Sequence, residues 1–103
     1  MGLREAAMGI KTITAAQLRR QMGSRNLVLI DLRSPGEYRQ EHLPGAHNCP
    51  YEYMQQWKRM LPEKKKIILI CEHGNLSMRA AKRLDQEGVE AYSLIGGMHA
   101  WKG

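Results

Sequence analysis

The sequence predicts an α/β fold in which a mostly parallel central sheet carries helices on both faces. Short apolar segments alternate along the chain with amphipathic or alanine-rich segments of helical length. The connections are short and the apolar runs nearly continuous, as in strands covered on both faces. Because the chain has only 103 residues, we expect a single domain at residues 10–103, preceded at residues 1–9 by a flexible leader or the remnant of a longer chain.

Residues 10–50 are predicted to form three strands and two helices. Thr14 is a good N-cap for the first helix, Gly23 ends that helix, and Pro50 ends the third strand because it lacks a backbone N–H group. In chain order, the predicted segments are an edge strand at 10–14, a helix at 15–22, a buried strand at 27–31, a turn at 34–38 leading into a short helix, a loop at 42–45 and a strand at 46–49.

The rest of the chain is predicted to supply two more helices, two strands and a final turn. The first of these helices carries an apolar stripe that we interpret as core packing, made of Tyr53, Met54, Trp57 and Leu61. In chain order, the predicted segments are a helix at 51–61, the most apolar strand at 67–71, a helix at 77–87 ended by Gly88, a strand at 91–94 and a final turn at 98–101.

Composition narrows the partners and the compartment. Sixteen lysines and arginines against ten acidic residues give a net charge of +6, which favours small anions. The basic residues are scattered and their one cluster, at residues 64–66, precedes a strand as a solvated turn, so nucleic acid is not the predicted partner. Because no apolar run could span a bilayer and the two cysteines, Cys49 and Cys71, are far apart, we expect a cytoplasmic protein without membrane partners or disulfides. We also expect a monomer.

Cys71 is the candidate reactive residue. It stands where the most apolar strand gives way to a short polar turn and then to a helix start near Ser77. At such a position free backbone N–H groups and the positive end of a helix dipole stabilise a thiolate. The alternative is that Cys71 is a small apolar residue at the end of a core strand. The mixed polarity of the residues that follow favours a reactive site, and Asp31, at the end of a neighbouring strand, is expected to share its rim.

No metal or cofactor is predicted. Cys71 and His73 are two potential zinc ligands, but no second pair of ligands with zinc-site spacing exists in the sequence.

Three blocks of sequence between residues 13 and 101 resemble the single-domain rhodanese-like family, sulfurtransferases that carry sulfur as a cysteine persulfide. The first block is Asp31-Leu32-Arg33, followed by Glu37-Tyr38 and by His42-Leu43-Pro44-Gly45-Ala46-His47-Asn48. The second is the cysteine loop with Gly74 and Ser77 leading into Ala80-Ala81, and the third is Gly96-Gly97-Met98-His99-Ala100-Trp101.

The resemblance implies a role for each of these site residues. Cys71 would be the nucleophile that accepts a sulfane sulfur and passes it to a thiol or to cyanide. Backbone N–H groups of the loop would cradle the persulfide and bind the substrate; the loop consists of Glu72, His73, Gly74, Asn75, Leu76 and Ser77. Asp31 and Arg33 look like the family's scaffold pair, or like an ordinary structural ion pair, whereas His42 would stabilise a turn and Trp101 would close the core.

Two loop positions depart from the pattern of the family members that use thiosulfate. Those members usually carry cations immediately after the cysteine and just before the serine, where this chain has Glu72 and Leu76. A carboxylate beside the sulfur opposes thiolate formation. We therefore expect weak activity with thiosulfate and a preference for a persulfide, a polysulfide or a protein partner as the sulfur donor.

Other functions remain open on the sequence. Phosphatases of the same fold need an arginine six places after the cysteine, and this chain has Ser77 there. A non-catalytic docking or regulatory module would explain Glu72 and Leu76, although retention of Cys71 and Gly74 favours sulfur transfer. Cys49 is a candidate partner of Cys71 in a redox relay, with buried packing as its alternative.

Overall fold

A computed structural model of the protein describes residues 9–102. Within them, five parallel strands form one sheet in the order β1-β5-β4-β2-β3. The strands are β1 (Lys11–Ile13), β2 (Leu27–Asp31), β3 (His47–Asn48), β4 (Lys66–Ile70) and β5 (Ala91–Leu94). The predicted leader at residues 1–9 lies, apart from residue 9, outside the described residues.

In the described part of the chain, five α-helices connect or follow the strands. They are α1 (Ala15–Gln21), α2 (Pro35–Gln40), α3 (Met54–Trp57), α4 (Asn75–Gln86) and α5 (Gly97–Lys102). Thr14 and Ser34 begin the first two with complete capping boxes, formed with Gln17 and Glu37. Among residues 9–102, no helix is long and apolar enough to cross a membrane.

Two hydrophobic clusters pack on opposite sides of the sheet and confirm the predicted three-layer architecture. Side chains that alternate along β4 point to opposite faces, so that Ile67 and Leu69 join one cluster while Ile68 and Ile70 join the other. The first cluster includes Trp57 of α3 and packs against α4. The second packs against α1 and α5, where Trp101 is half-buried at the edge.

The segment predicted as one helix at 51–61 is broken, and that prediction is wrong. It consists of a 3₁₀ turn at Tyr51–Tyr53, the short helix α3 and a second 3₁₀ turn at Lys58–Met60. Met54 and Trp57 are buried as predicted, but Tyr53 is 54% exposed. The Trp57 indole donates a hydrogen bond to the Pro50 carbonyl at 2.8 Å, a contact that ties the segment to the end of β3 and that apolar periodicity cannot reveal.

Helix α4 begins at Asn75, two residues before the predicted start at Ser77. Gly74 occupies the N-cap position with a φ of +102° and has no side chain with which to cap the helix. Ser77 therefore lies inside the first turn, fully buried, rather than at the cap. The loop between β4 and α4 is shorter than the sequence predicted, and it brings the helix N-terminus closer to Cys71.

Candidate active site

The loop after β4 turns sharply back on the sulfur of Cys71. Cys71 is the first residue after the strand and is 3% exposed. Gly74 makes the turn possible in two ways, because its φ of +102° is disfavoured for any other residue and because a Cβ there would lie 3.2 Å from the backbone nitrogen of Gly96. The turn aims the first backbone N–H groups of α4 at the thiol.

Two backbone N–H groups donate hydrogen bonds to the Cys71 sulfur. The Gly74 nitrogen lies 3.1 Å and the Ser77 nitrogen 3.4 Å from Sγ. Both belong to the N-terminus of α4, where the helix dipole favours negative charge. Of the six loop residues that the family resemblance implies as a cradle, these two contact the sulfur through their N–H groups.

A buried hydroxyl pair lies behind the sulfur. Ser77 Oγ lies 3.5 Å from Cys71 Sγ, and it donates to the Gly74 carbonyl at 3.1 Å. It also lies 2.6 Å from the hydroxyl of Ser93 on β5. Both serines are fully buried. Ser93 was not among the predicted site residues, because a serine in a short strand carries no signal of its own.

Asp31 and Arg33 form a buried ion pair at the end of β2. The Arg33 guanidinium donates to both Asp31 carboxylate oxygens, at 3.0 and 2.9 Å, and the Arg33 backbone N–H donates to the same carboxylate at 3.0 Å. Hydrogen bonds to Asp31 raise the pKa of Arg33, so the guanidinium stays charged. A further bond to the Glu41 carbonyl, at 2.6 Å, ties the pair to the end of α2.

The same guanidinium reaches the loop that follows Cys71. Arg33 Nη1 lies 3.4 Å from Glu72 Oε1, and the Glu72 side chain is 38% exposed. The carboxylate that the sequence places beside the sulfur is therefore partly neutralised by Arg33. Arg33 contacts Glu72, and neither Asp31 nor Arg33 is hydrogen-bonded to the sulfur, which fits the scaffold interpretation rather than a chemical role.

Helix α5 holds the carbonyl side of the loop. The Met98 N–H donates to the Cys71 carbonyl at 2.8 Å, and the His99 N–H donates to the Glu72 carbonyl at 3.0 Å. Gly97 permits this approach, because a Cβ there would lie 2.2 Å from the Cys71 carbonyl oxygen. In the sequence, Gly96 and Gly97 were identified only as part of a family block. Two adjacent glycines were nevertheless a signal that another part of the backbone could approach closely at this point.

The mouth of the site is apolar and shallow. A cavity of about 200 Å³ is lined by Cys71, Glu72, His73, Asn75 and Leu76. A second cavity of about 210 Å³ shares His73 and Asn75 with it and extends to Met78 and Ile95. Leu76, Met78 and Ile95 are 37%, 42% and 50% exposed, so apolar side chains border the entrance. A larger cavity of about 670 Å³, between Arg19 and Trp101, is lined by neither the cysteine loop nor Asp31 and Arg33.

The remaining polar residues of the mouth form no metal site. His73 and His99 are both exposed, with ring centroids 5.5 Å apart. Within residues 9–102 no group of three or more His, Cys, Asp or Glu side chains is arranged to hold a metal ion. His42 lies outside the mouth, where its Nδ1 is 2.7 Å from the Tyr38 carbonyl and its ring stacks on that of Tyr38.

Cys49 belongs to the same core cluster as Cys71 but has a different environment. It is half-buried and free, and burial raises the pKa of its thiol. Its backbone N–H donates to the Asp31 carbonyl at 2.9 Å. Cys71 is also a free thiol, so no disulfide joins the two.

The comparisons with known proteins agree with this architecture. The family model of the rhodanese-like domain matches residues 14–103. The chain is 37% identical to the uncharacterized protein YqhL of Bacillus subtilis, over 91% of this chain and 74% of that protein. It is 31% identical to the thiosulfate sulfurtransferase GlpE of Pseudoalteromonas translucida, over 92% of this chain and 91% of that protein.

A solved structure shows the same fold. The rhodanese-related protein of Thermoplasma volcanium superposes with a TM-score of 0.83 at 28% identity, covering 89% of this chain and 90% of that one. Three observations indicate the same family: the order of the three sequence blocks, the five-stranded parallel sheet and the matched family model. The chain belongs to the rhodanese-like domain family, a family that includes thiosulfate sulfurtransferases.

Proposed function

We propose that the protein is a sulfurtransferase that carries a sulfane sulfur as a persulfide on Cys71. The observation that supports this most directly is the pair of N–H groups, from Gly74 and Ser77, that point at the Cys71 sulfur from the N-terminus of α4. Hydrogen bonds to a charged group contribute about 1.5–3 kcal/mol each, so this arrangement favours a thiolate and, after loading, a persulfide anion.

The reaction needs no cofactor and no outside oxidant. The Cys71 thiolate attacks the outer sulfur of a donor persulfide, a new S–S bond forms on Cys71, the donor's S–S bond breaks and the donor leaves as a thiolate. An acceptor thiolate or cyanide then attacks the outer sulfur, and Cys71 returns to a thiolate. Both steps move a sulfur atom that is already at the oxidation level of elemental sulfur, so the electrons balance within each transfer.

The mouth of the site favours a persulfide over thiosulfate. Thiosulfate is a small dianion, and the cavity that opens on Cys71 offers it the Glu72 carboxylate and the Leu76 side chain. Arg33 is a cation near the cavity, and its guanidinium is already bonded to Asp31 and Glu72. An organic persulfide, whose carbon chain can contact the apolar rim, fits these surroundings better. Weak thiosulfate activity therefore belongs to the proposal.

The partners follow from the same chemistry. Donor and acceptor are a small persulfide or polysulfide, or a cysteine persulfide or thiol on another protein. Free thiols at Cys49 and Cys71 suit a reducing compartment such as the cytoplasm, where we place the protein. A single rhodanese-like domain at residues 10–103, acting as a monomer, completes the proposal.

Intact-mass spectrometry tests the proposal. The purified protein is exposed separately to thiosulfate and to a low-molecular-weight persulfide, and then to cyanide. Cys71→Ser removes the proposed carrier, and Cys49→Ser is the matched control. We expect the wild type and Cys49→Ser to gain one sulfur atom, more completely from the persulfide, and to lose it to cyanide. Two results would overturn the proposal and favour a docking module. One is sulfur loading that survives in Cys71→Ser; the other is a wild type that gains no sulfur although an alkylating probe reacts with its Cys71 in a separate sample.

A further inference from the structure

Building on the proposed sulfur-carrying role of Cys71, we propose that Ser93 is a positioning residue that acts on Cys71 through the hydroxyl of Ser77. Ser93 lies on β5, outside the cysteine loop, and its hydroxyl oxygen is 2.6 Å from that of Ser77. Both hydroxyls are fully buried, so neither exchanges its partner for solvent. Hydrogen bonds thus link Ser93 to Ser77 and Ser77 to Cys71, in a buried series that ends on the sulfur.

With a neutral thiol, the hydrogen bonds among Cys71, Ser77 and Ser93 have one arrangement of donors and acceptors. The Cys71 S–H donates to Ser77 Oγ at 3.5 Å, and the single hydroxyl proton of Ser77 goes to the Gly74 carbonyl at 3.1 Å. The Gly74 carbonyl can only accept, and the Ser77 oxygen has two lone pairs. The short contact of 2.6 Å is then satisfied when the Ser93 hydroxyl donates to Ser77. The position of the Gly74 carbonyl thus determines the direction of the bond between the serines.

Loss of the thiol proton redirects the Ser77 hydroxyl. A thiolate only accepts, so the Ser77 proton turns from the Gly74 carbonyl to Cys71 Sγ. The Gly74 carbonyl is not left without a partner, because it also accepts the Met78 N–H at 3.2 Å. Ser93 keeps its proton on Ser77 throughout, and donation into the Ser77 oxygen strengthens the bond that Ser77 donates onward. The thiolate thereby gains a third donor besides the two N–H groups.

The Ser93 hydroxyl is bonded to none of the titratable groups on the elements that pack around the cysteine loop. These groups are Asp31, Arg33, Glu72, His73, Arg79, Tyr92 and His99. Glu72 is paired with Arg33, and the Ser93 hydroxyl is bonded to Ser77 rather than to any of them. A change in the pH profile of Cys71 reactivity on removal of the Ser93 hydroxyl therefore reports the serine chain.

The test measures the rate of Cys71 alkylation by iodoacetamide against pH. All variants carry Cys49→Ser, so that Cys71 is the reporting thiol. We expect Ser77→Ala to move the midpoint of the profile upward by about 1 pH unit and Ser93→Ala to move it upward by about half a unit. At a pH below the midpoints of both Ser93→Ala and its parent, half a unit corresponds to an approximately threefold loss of the alkylation rate in Ser93→Ala. Because Ser93 acts through Ser77, the double variant should behave like Ser77→Ala alone.

A matched pair of variants separates the hydroxyl from packing. Threonine and valine have the same shape and suit a strand, so Ser93→Thr and Ser93→Val differ mainly in the hydroxyl. We expect Ser93→Thr to keep a lower midpoint than Ser93→Val when the two have similar free energies of unfolding. Equal midpoints in this pair, or shifts at Ser77 and Ser93 that add fully, would overturn the role of Ser93. Alkylation detects the thiolate whether or not sulfur loads, so a failure of sulfur transfer would be seen separately.

Discussion

The two cysteines occupy equivalent places in the sheet, each directly after a strand, but the backbone that follows them differs. Cys49 is the first residue after β3 and Cys71 the first after β4, and both contact the same hydrophobic cluster. After Cys71, the chain turns at Gly74 into a helix of 12 residues whose N–H groups reach the sulfur. After Cys49 comes Pro50, which has no N–H group, and the Tyr51 N–H donates to the Leu32 carbonyl at 3.0 Å.

This contrast shows that the residues after a strand, rather than the strand-end position itself, decide which hydrogen-bond donors reach the thiol. At Cys49, burial acts alone and raises the pKa of the thiol. At Cys71, burial is accompanied by two backbone N–H groups that donate hydrogen bonds to the sulfur. The Asp31–Arg33 pair lies between the two regions, because the Asp31 carbonyl accepts the Cys49 N–H while Arg33 reaches Glu72.

Removing the charge of Asp31 should affect both regions and give the largest loss of stability. Asp31→Asn removes the buried counterion of Arg33 and leaves only the partly exposed Glu72 carboxylate, at 3.4 Å, which costs about 3–5 kcal/mol of unfolding free energy. Asp85→Asn is the matched control, because Asp85 pairs with Lys11 at the surface, where such a pair contributes about 1 kcal/mol or less. Urea unfolding measures both variants. Equal losses would show that the buried pair does not hold the two regions together.

Crowding the loop from α5 should affect the Cys71 region more than the Cys49 region. In Gly97→Ala the new methyl group would clash with the Cys71 carbonyl, and the residue would have a strained φ of +58°, for a combined cost of about 3 kcal/mol. Gly88→Ala has a similar strain at φ +87° but open space around it, so about 1 kcal/mol is expected. Unfolding curves for the pair separate the clash from the strain, and similar losses would contradict the close approach of α5.

Neutralising Glu72 should increase the reactivity of Cys71 modestly. The carboxylate repels both the thiolate and an anionic donor, and an effect of about 1 kcal/mol corresponds to an approximately fivefold faster loading from thiosulfate in Glu72→Gln. Glu63→Gln, at an exposed position away from the loop, makes the same change in net charge. Loading rates from intact mass distinguish the two. An unchanged rate in Glu72→Gln would show that Arg33 already cancels the carboxylate.

The pH dependence of Cys49 alkylation should differ by a small amount from that of an exposed cysteine. Burial favours its protonated form, so its pKa lies above the ordinary value and its alkylation in Cys71→Ser should begin at higher pH than that of a cysteine in the unfolded chain. Between the ordinary pKa and the raised one, the folded state retains a proton that the unfolded state loses, so stability falls as pH rises through this window. An alkylation profile at or below that of the urea-unfolded protein would contradict this environment.

The sequence predicted the sheet, its two covered faces and the position of Cys71, because these follow from hydrophobic pattern and strand ends. It misplaced the start of α4, since Ser77 has the residue type of an N-cap and the positive φ of Gly74 depends on its packing against Gly96. It also predicted one continuous helix at 51–61, because apolar spacing does not distinguish α-helical from 3₁₀ turns.

The contacts that tune the site were less accessible to sequence reasoning. Ser93 meets Ser77 across 16 residues of chain, and Arg33 meets Glu72 across 39. Neither pair has a local pattern, because each joins the ends of elements that become neighbours only in the folded sheet. The Glu72 carboxylate was predicted to oppose the thiolate, and its partial neutralisation by Arg33 emerges only from the structure.

The most direct test of the account compares the two cysteines within one molecule. Trypsin separates them, because Cys49 falls in the peptide of residues 40–58 and Cys71 in that of residues 67–79. The native protein is given a limiting amount of a low-molecular-weight persulfide, trapped with an alkylating reagent and mapped by mass spectrometry. We expect the added sulfur on the Cys71 peptide and no added sulfur on the Cys49 peptide. Equal sulfur on both peptides, or more on Cys49, would contradict the claim that the donors from α4 make Cys71 the sulfur carrier.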